Sequence, residues 1–195
     1  MPKQVDHESR RRRIADAVCR LADESGLEGV TLRDVAARAQ VSMGAVQRCF
    51  GAKEEMLVFA LTHIGERVSA RVTARIVASP AQSARTALGH AATEVSLLQE
   101  EHRAEARVWL AFVAQAAVSP SLAEILRANY AGLQTLFARL ITEATESADP
   151  ERAARTLLAL ADGLTTHVLI GHLTPAAAED VLDGHLRNLG APAAS

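Results

Sequence analysis

Apolar residues recur along this chain at helical spacing. Between residues 32 and 39, Leu32, Val35, Ala36 and Ala39 stand at i, i+3, i+4 and i+7, while Arg33, Asp34 and Arg38 fall on the opposite face. No run alternates apolar and polar residues as a half-buried strand would, so the pattern predicts an all-α fold. Breaks at Gly26–Gly29, Gln40–Ser42, Gly51–Ala52, Ser79–Pro80, Ser119–Pro120, Asp149–Pro150 and Thr174–Pro175 cut the chain into about nine helical segments. Several pair a cap residue with a first-turn proline. The first segments, near 9–25, 31–38 and 42–49, are short, and the next, near 52–78, is long. The expected division is a three-helix domain over residues 1–51, with an arm over 1–8, and a longer helical domain over 52–195. The tail 190–195 reads as a frayed end.

Two of the short segments carry a motif. Thr31 can cap a helix with Asp34 as its partner three residues on, and Ser42 can cap a second helix after a three-residue break. Val46 and Phe50 then form the inward face of the second helix. Two short helices joined by so tight a turn make a helix-turn-helix, whose second helix enters the DNA major groove. Gly44 lies inside that helix, where glycine costs roughly 1 kcal/mol relative to alanine, so a close approach by DNA is expected there. Lys53 begins the fourth helix, where the dipole disfavours a cation, and a phosphate nearby would account for it.

Charge adds little to this and cysteine adds less. The formal net charge is -2, with ten Lys/Arg against nine Asp/Glu up to residue 60 and eleven against fourteen beyond it. The sharper feature is Arg10-Arg11-Arg12-Arg13 at the mouth of the first helix, which reads either as a DNA-contacting cluster, with Arg12 and Arg13 the candidates, or as a solubilising terminus. Cys19 and Cys49 lack metal or redox spacing and read as packing residues in a reducing cytoplasm. The charged N-terminus and the lack of any long apolar run point away from secretion and membranes.

Residues 13–57 resemble the DNA-binding domain of the TetR family of bacterial repressors. The matching pieces are Arg13-Ile14, Gly29 to Thr31, Val35-Ala36, Ala39, Val41-Ser42, Gly44, Phe50, Lys53-Glu54 and Leu57. Three positions depart from the family pattern: Gln40 replaces the turn glycine, Gln47 a common phosphate-binding tyrosine, and Cys49 an aromatic or histidine. A left-handed Gln40 would cost about 1–2 kcal/mol. The groove-facing set is expected to be Ser42, Met43, Ala45, Gln47 and Arg48 beside Gly44, with Arg48 suited to guanine and Gln47 to adenine. Thr31, Arg33 and Lys53 are expected to hold phosphates. The rival for Arg33 and Arg38 is a solvated face with intrahelical ion pairs.

For the remainder, the resemblance implies an all-helical domain that dimerises through its last two helices and surrounds a ligand pocket. Leu157, Leu160, Ala161, Leu164, Val168 and Leu169, with Val181, Leu182 and Leu186, could line a four-helix dimer interface, or else an intrachain core. An isologous dimer predicts a roughly palindromic double-stranded operator. Trp109, Phe112, Tyr130 and Phe137 could line an apolar cavity for a small-molecule effector, with His90, His102 and His167 adding polar groups; core packing is the alternative for each. No histidine has a glutamate three residues before it, and no nucleophile elbow or phosphate-binding loop occurs, which argues against an enzyme, a metal or a cofactor. A helix-turn-helix protein without an effector is the remaining rival.

Overall fold

The computed structural model describes residues 2–79 and 83–189, with side chains from residue 7 onward. Met1, Pro80 and the tail 190–195 lie outside the described residues. Among the described residues there are nine α-helices and no strand. They are α1 (Pro2–Ser25), α2 (Leu32–Arg38), α3 (Met43–Cys49), α4 (Lys53–Ala78), α5 (Ala84–Ser96), α6 (Arg103–Ala116), α7 (Pro120–Ala144), α8 (Pro150–Leu169) and α9 (Pro175–Asn188). A single 3₁₀ turn, Glu100–His102, leads into α6.

Short polar side chains set most of these starts. Thr31, Ser42, Ser83, Asp149 and Thr174 each stand outside the helical region and accept a hydrogen bond from the amide three residues on. Each such cap contributes about 1 kcal/mol. Residues 2–8 of the arm expected over 1–8 form the first part of α1. Proline suits a first helical position, no breaker follows it, and Glu8 pairs with Arg12 one turn on at 3.4 Å. After α1, Gly29 cannot be exchanged freely, because a Cβ there would lie 2.5 Å from Ser25 Oγ and 3.0 Å from the Ser25 carbonyl oxygen.

The chain groups into two compact units, each discontinuous in sequence. The first takes residues up to 66 together with 107–126, and the second takes 67–106 together with the chain from 127 onward. In the first, α1, α2 and α3 pack on one another, and Ile14, Val18, Val35, Val46, Phe50, Met56 and Phe112 are buried. In the second, α8 packs on α5 and α9 around a core that includes Leu88, Phe137, Ile141, Leu157 and Leu182. Burying each large apolar side chain contributes roughly 1.5–3 kcal/mol, so these two sets hold their units together.

Most of the residues expected at a dimer interface lie inside this second core. Leu157, Ala161, Leu164, Val168 and Leu182 are between 1% and 8% exposed, and Leu160 and Leu186 pack at the edge of the same cluster. Only Val181, 45% exposed, turns fully outward, and Leu169 is half-buried. The apolar stripe of a helix shows that a face is covered, and here the chain itself covers it.

His185 on α9 is half-buried with no hydrogen-bond partner for Nε2 among the described residues, and burial holds its imidazole below the usual pKa. The folded protein therefore resists a proton that the unfolded chain accepts, so stability is full above the ordinary histidine pKa and declines as pH falls below it. Denaturant titrations from about pH 7.5 to about pH 5.5 should show this decline, and His185→Gln should flatten it. An unchanged slope in the variant would assign the decline to other groups.

Candidate nucleic-acid interface

The turn between α2 and α3 is built from backbone hydrogen bonds. Gln40 has φ 55°, the left-handed region, and its amide bonds the Ala37 carbonyl at 3.1 Å while the Val41 amide bonds the Ala36 carbonyl at 3.0 Å. This is a Schellman closure, normally completed by glycine, in which the gained bonds offset the cost of a side chain at positive φ. Ser42 then starts α3, accepting from the Ala45 amide at 3.1 Å.

On α3, Ala45, Val46 and Cys49 are buried, followed by Phe50 at the helix end. Ser42, Met43, Gln47 and Arg48 are exposed, Met43 by 41% despite its apolar side chain. Ala45, expected to face the groove, points inward at 8% exposure, because it lies one residue from Val46 on the packing stripe. The outward face is thus Met43 and Gln47 at i, i+4 beside Gly44 and Arg48 at i, i+4. A Cβ on Gly44 would meet only Arg48 Nη1, at 3.4 Å, so no intrachain backbone demands glycine there. The missing side chain leaves room for Arg48 to lie back along the helix.

The surrounding cations sort into engaged and unengaged groups. Arg33 and Arg48 are exposed and make no ion pair among the described residues. Arg38 forks onto Glu24 of α1 at 2.6 and 2.7 Å, an interhelical pair where the rival reading had an intrahelical one. That hydrogen bond holds the Glu24 carboxyl below its usual pKa. Lys53 Nζ donates to the Leu27 carbonyl at 3.3 Å, which uses one of its three donors. Thr31 Oγ1 donates to Asp34 Oδ2 at 2.7 Å, so its proton is committed within the cap. Arg12 is exposed beside Glu8, and Arg13 Nη2 donates to the Ala39 carbonyl at 2.9 Å. Arg11, which drew no separate attention in the sequence, lies over the rings of Phe50 and Phe59 at 4.8 and 4.3 Å.

The expected ligand residues do not line either of two clefts seen in the units. Phe112 and Phe137 are 0% and 1% exposed and belong to packed cores. Trp109 and His90 are half-buried; Tyr130, also half-buried, donates its hydroxyl to Asp162 at 2.5 Å. His167 is exposed, its ring edge-on to His172 with centroids 4.9 Å apart. A cleft of about 220 Å³ in the second unit is lined by Thr93, Ser96, Leu98, Gln99, Glu179, Leu182 and Asp183. One of about 560 Å³ in the first unit is bordered by Leu27, Lys53, Glu54, Leu57, Gln115 and Val118, among others. Sequence reasoning missed both, because their walls come from segments far apart in the chain. Among the described residues no group of three His, Cys, Asp or Glu side chains is set to hold a metal, and no helix is long and apolar enough to cross a membrane.

Comparison with known proteins places this geometry. Residues 14–58 match the model of bacterial regulatory proteins of the tetR family, and residues 84–191 match that of the BetI-type transcriptional repressor C-terminal region. The chain is 33% identical over 175 residues to the HTH-type transcriptional regulator PksA of Bacillus subtilis, covering 87% of this chain and 83% of the relative. A transcriptional regulator from Rhodococcus sp. Rha1 superposes with TM-score 0.83 at 35% identity, covering 92% and 95% of the two chains. A regulator from Saccharomonospora viridis, solved in complex with choline, shares the fold with TM-score 0.83 at 22% identity, over 92% and 96%. With the helix-turn-helix in place and both parts matched, the chain belongs to the TetR family of bacterial transcriptional regulators.

Proposed function

We propose that this chain is a homodimeric, cytoplasmic repressor that holds a near-palindromic operator and releases it when a small effector binds. Residues 1–51 read the DNA, with Met43, Gly44, Gln47 and Arg48 toward the bases and Arg33 toward a phosphate; residues 52–195 dimerise and sense. The observation that carries the reading is the outward face of α3, where an exposed methionine, a glutamine and an unpaired arginine share one surface. Such a face suits base edges and the thymine methyl group. In place of the enclosed leucines, the outward stripes of α8 and α9 are the dimer candidates: Ala159, Leu160 and Gly163, continued by the C-cap Ile170, with Ala177, Val181 and Gly184. Their small residues let helices approach closely, and Ile170 is 70% exposed.

The test is a binding titration against DNA from immediately upstream of the gene, beside a scrambled fragment, over a salt series. Preference for the native fragment, with affinity falling steeply in salt, supports the operator reading. Equal weak binding to both removes its main support. Arg48→Ala should weaken operator binding about 5–150-fold, from the 1–3 kcal/mol of one bidentate base contact, and relax preference at one base pair. An unchanged affinity would move Arg48 off the bases.

Release works by population shift: the effector favours a conformation whose recognition helices no longer match the half-site spacing. Choline is the first compound to titrate, since the Saccharomonospora neighbour holds it. Glu179 and Asp183 of the 220 Å³ cleft carry charge of the sign a small cation needs. The enclosure of Phe112 and Phe137 favours a second reading, a DNA-binding regulator without an effector. It gains if neither choline nor a panel of small metabolites changes operator affinity.

A further inference from the structure

The basic tetrad of α1 does not present four equivalent cations. Arg13 reaches 26 residues along the chain to the carbonyl of Ala39, the C-cap of α2 that precedes the left-handed Gln40. The Schellman closure uses the carbonyls of Ala36 and Ala37, and the Ala39 carbonyl has no helical partner in a chain that turns away after it. A charged donor at 2.9 Å satisfies that acceptor and ties the turn to α1. The direction of α3 follows, because Ser42 caps it two residues beyond Gln40.

Arg11 acts at the other end. Phe50 closes α3, its ring sits 5.5 Å from that of Phe59 on α4, and the Arg11 guanidinium covers both rings. Its Nε is buried with no hydrogen-bond partner among the described residues, and Glu55 lies 3.8 Å from Nη2. Contact through the guanidinium face is what a planar cation on aromatic rings makes, and a lysine ammonium cannot reproduce that stacking.

We propose that Arg13 and Arg11 are positioning residues, which set the recognition helix from its entry and its exit and do not serve as phosphate contacts. The proposal rests on the operator-binding reading. It changes what a basic run at the start of such a chain means, since half of the charge is spent on holding protein against protein. Arg12, held among the described residues by an exposed pair with Glu8, is the comparison residue.

The experiment measures binding of native and scrambled DNA across salt for wild type, Arg13→Ala, Arg11→Lys and Arg12→Ala, with thermal unfolding of each. Loss of a phosphate contact lowers the slope of log affinity against log salt by about 0.9 and weakens both DNAs alike. Loss of positioning leaves that slope in place and reduces the native-to-scrambled ratio at least tenfold. The second result is expected for Arg13→Ala and Arg11→Lys. A slope reduced by about one with discrimination intact would overturn the proposal. If Arg13→Ala does not fold, Arg13→Lys, which keeps one donor, takes its place and should retain part of the discrimination. If wild type discriminates no DNA, the operator reading fails and the positioning claim is judged on the free protein. There, amide exchange at Gln40, Val41 and Ala45 should quicken in the Arg13 variant while exchange in α8 is unchanged; equal rates in wild type and variant would overturn it.

Discussion

Phe137→Ala is expected to cost about 3–5 kcal/mol, the range for removing a fully enclosed aromatic side chain from a core that cannot collapse around the gap. Phe137 is 1% exposed and packs among the buried leucines of α5, α7 and α8. In a chain of this length each kcal/mol lowers the unfolding temperature by about 2–4 °C, and total stability is of order 5–15 kcal/mol, so the variant should lose a large share of it. Denaturant unfolding measures this directly, as a lower midpoint at unchanged slope. A loss under about 1 kcal/mol would show that the ring borders a void, and would restore it as a ligand-lining residue.

Glu94→Ala comes next, at about 3 kcal/mol. Glu94 on α5 is 3% exposed, and its carboxylate takes Arg71 Nε at 3.2 Å and Arg75 Nη1 at 2.8 Å from α4, with His102 Nε2 3.9 Å away. Arg71 continues to Glu105 of α6 at 2.7 and 3.0 Å, and Arg67 approaches the same carboxylate at 3.6 Å. Burial works against the Arg71 charge, but the hydrogen bonds and charge of Glu105, then of Glu94, outweigh it, so the guanidinium is held more firmly protonated than usual. Removing one partner of a buried pair costs about 3–5 kcal/mol, and the partial exposure of both arginines places this case at the lower end. A cycle with Arg75→Ala should give a coupling of about 0.5–3 kcal/mol. A single-variant cost below about 0.5 kcal/mol would mean that the two arginines rehydrate freely and the network holds nothing.

The contrast between these residues shows what periodicity can and cannot reveal. The caps Thr31, Ser42, Asp149 and Thr174 act through the amide three residues on, a local event, and the sequence states it directly. The inward face of α3 was legible for Val46 and Phe50 on the same ground, and Ala45 was misjudged because a small side chain beside the stripe suits either face. Leu157, Leu164 and Leu182 were legible as covered, yet not as covered by their own chain, since amphipathicity is silent about the partner. Phe112 and Phe137 were placed by type, while their depth depends on helices far away in sequence. Arg67, Arg71 and Arg75 stand at i, i+4 and i+8 and could have been read as one face of α4. Their acceptors on α5 and α6 could not, because the pairing is tertiary. Arg11 and Arg13 were hidden for the opposite reason: a basic tetrad already had a sufficient explanation in solvent or DNA.

The first compact unit takes in residues 107–126 as well as the helix-turn-helix. Arg107 donates to Asp23 at the end of α1 at 2.6 Å, Ser121 bonds Glu54 at the start of α4, and Leu122 is 2% exposed. Anyone building a chimaeric regulator by swapping heads between relatives at residue 51 or 66 would therefore sever the head from part of its own packing. The transferable module is a spliced one, in which the α6–α7 corner travels with the DNA-reading helices or is matched to them by side chains at 23, 54, 107 and 121.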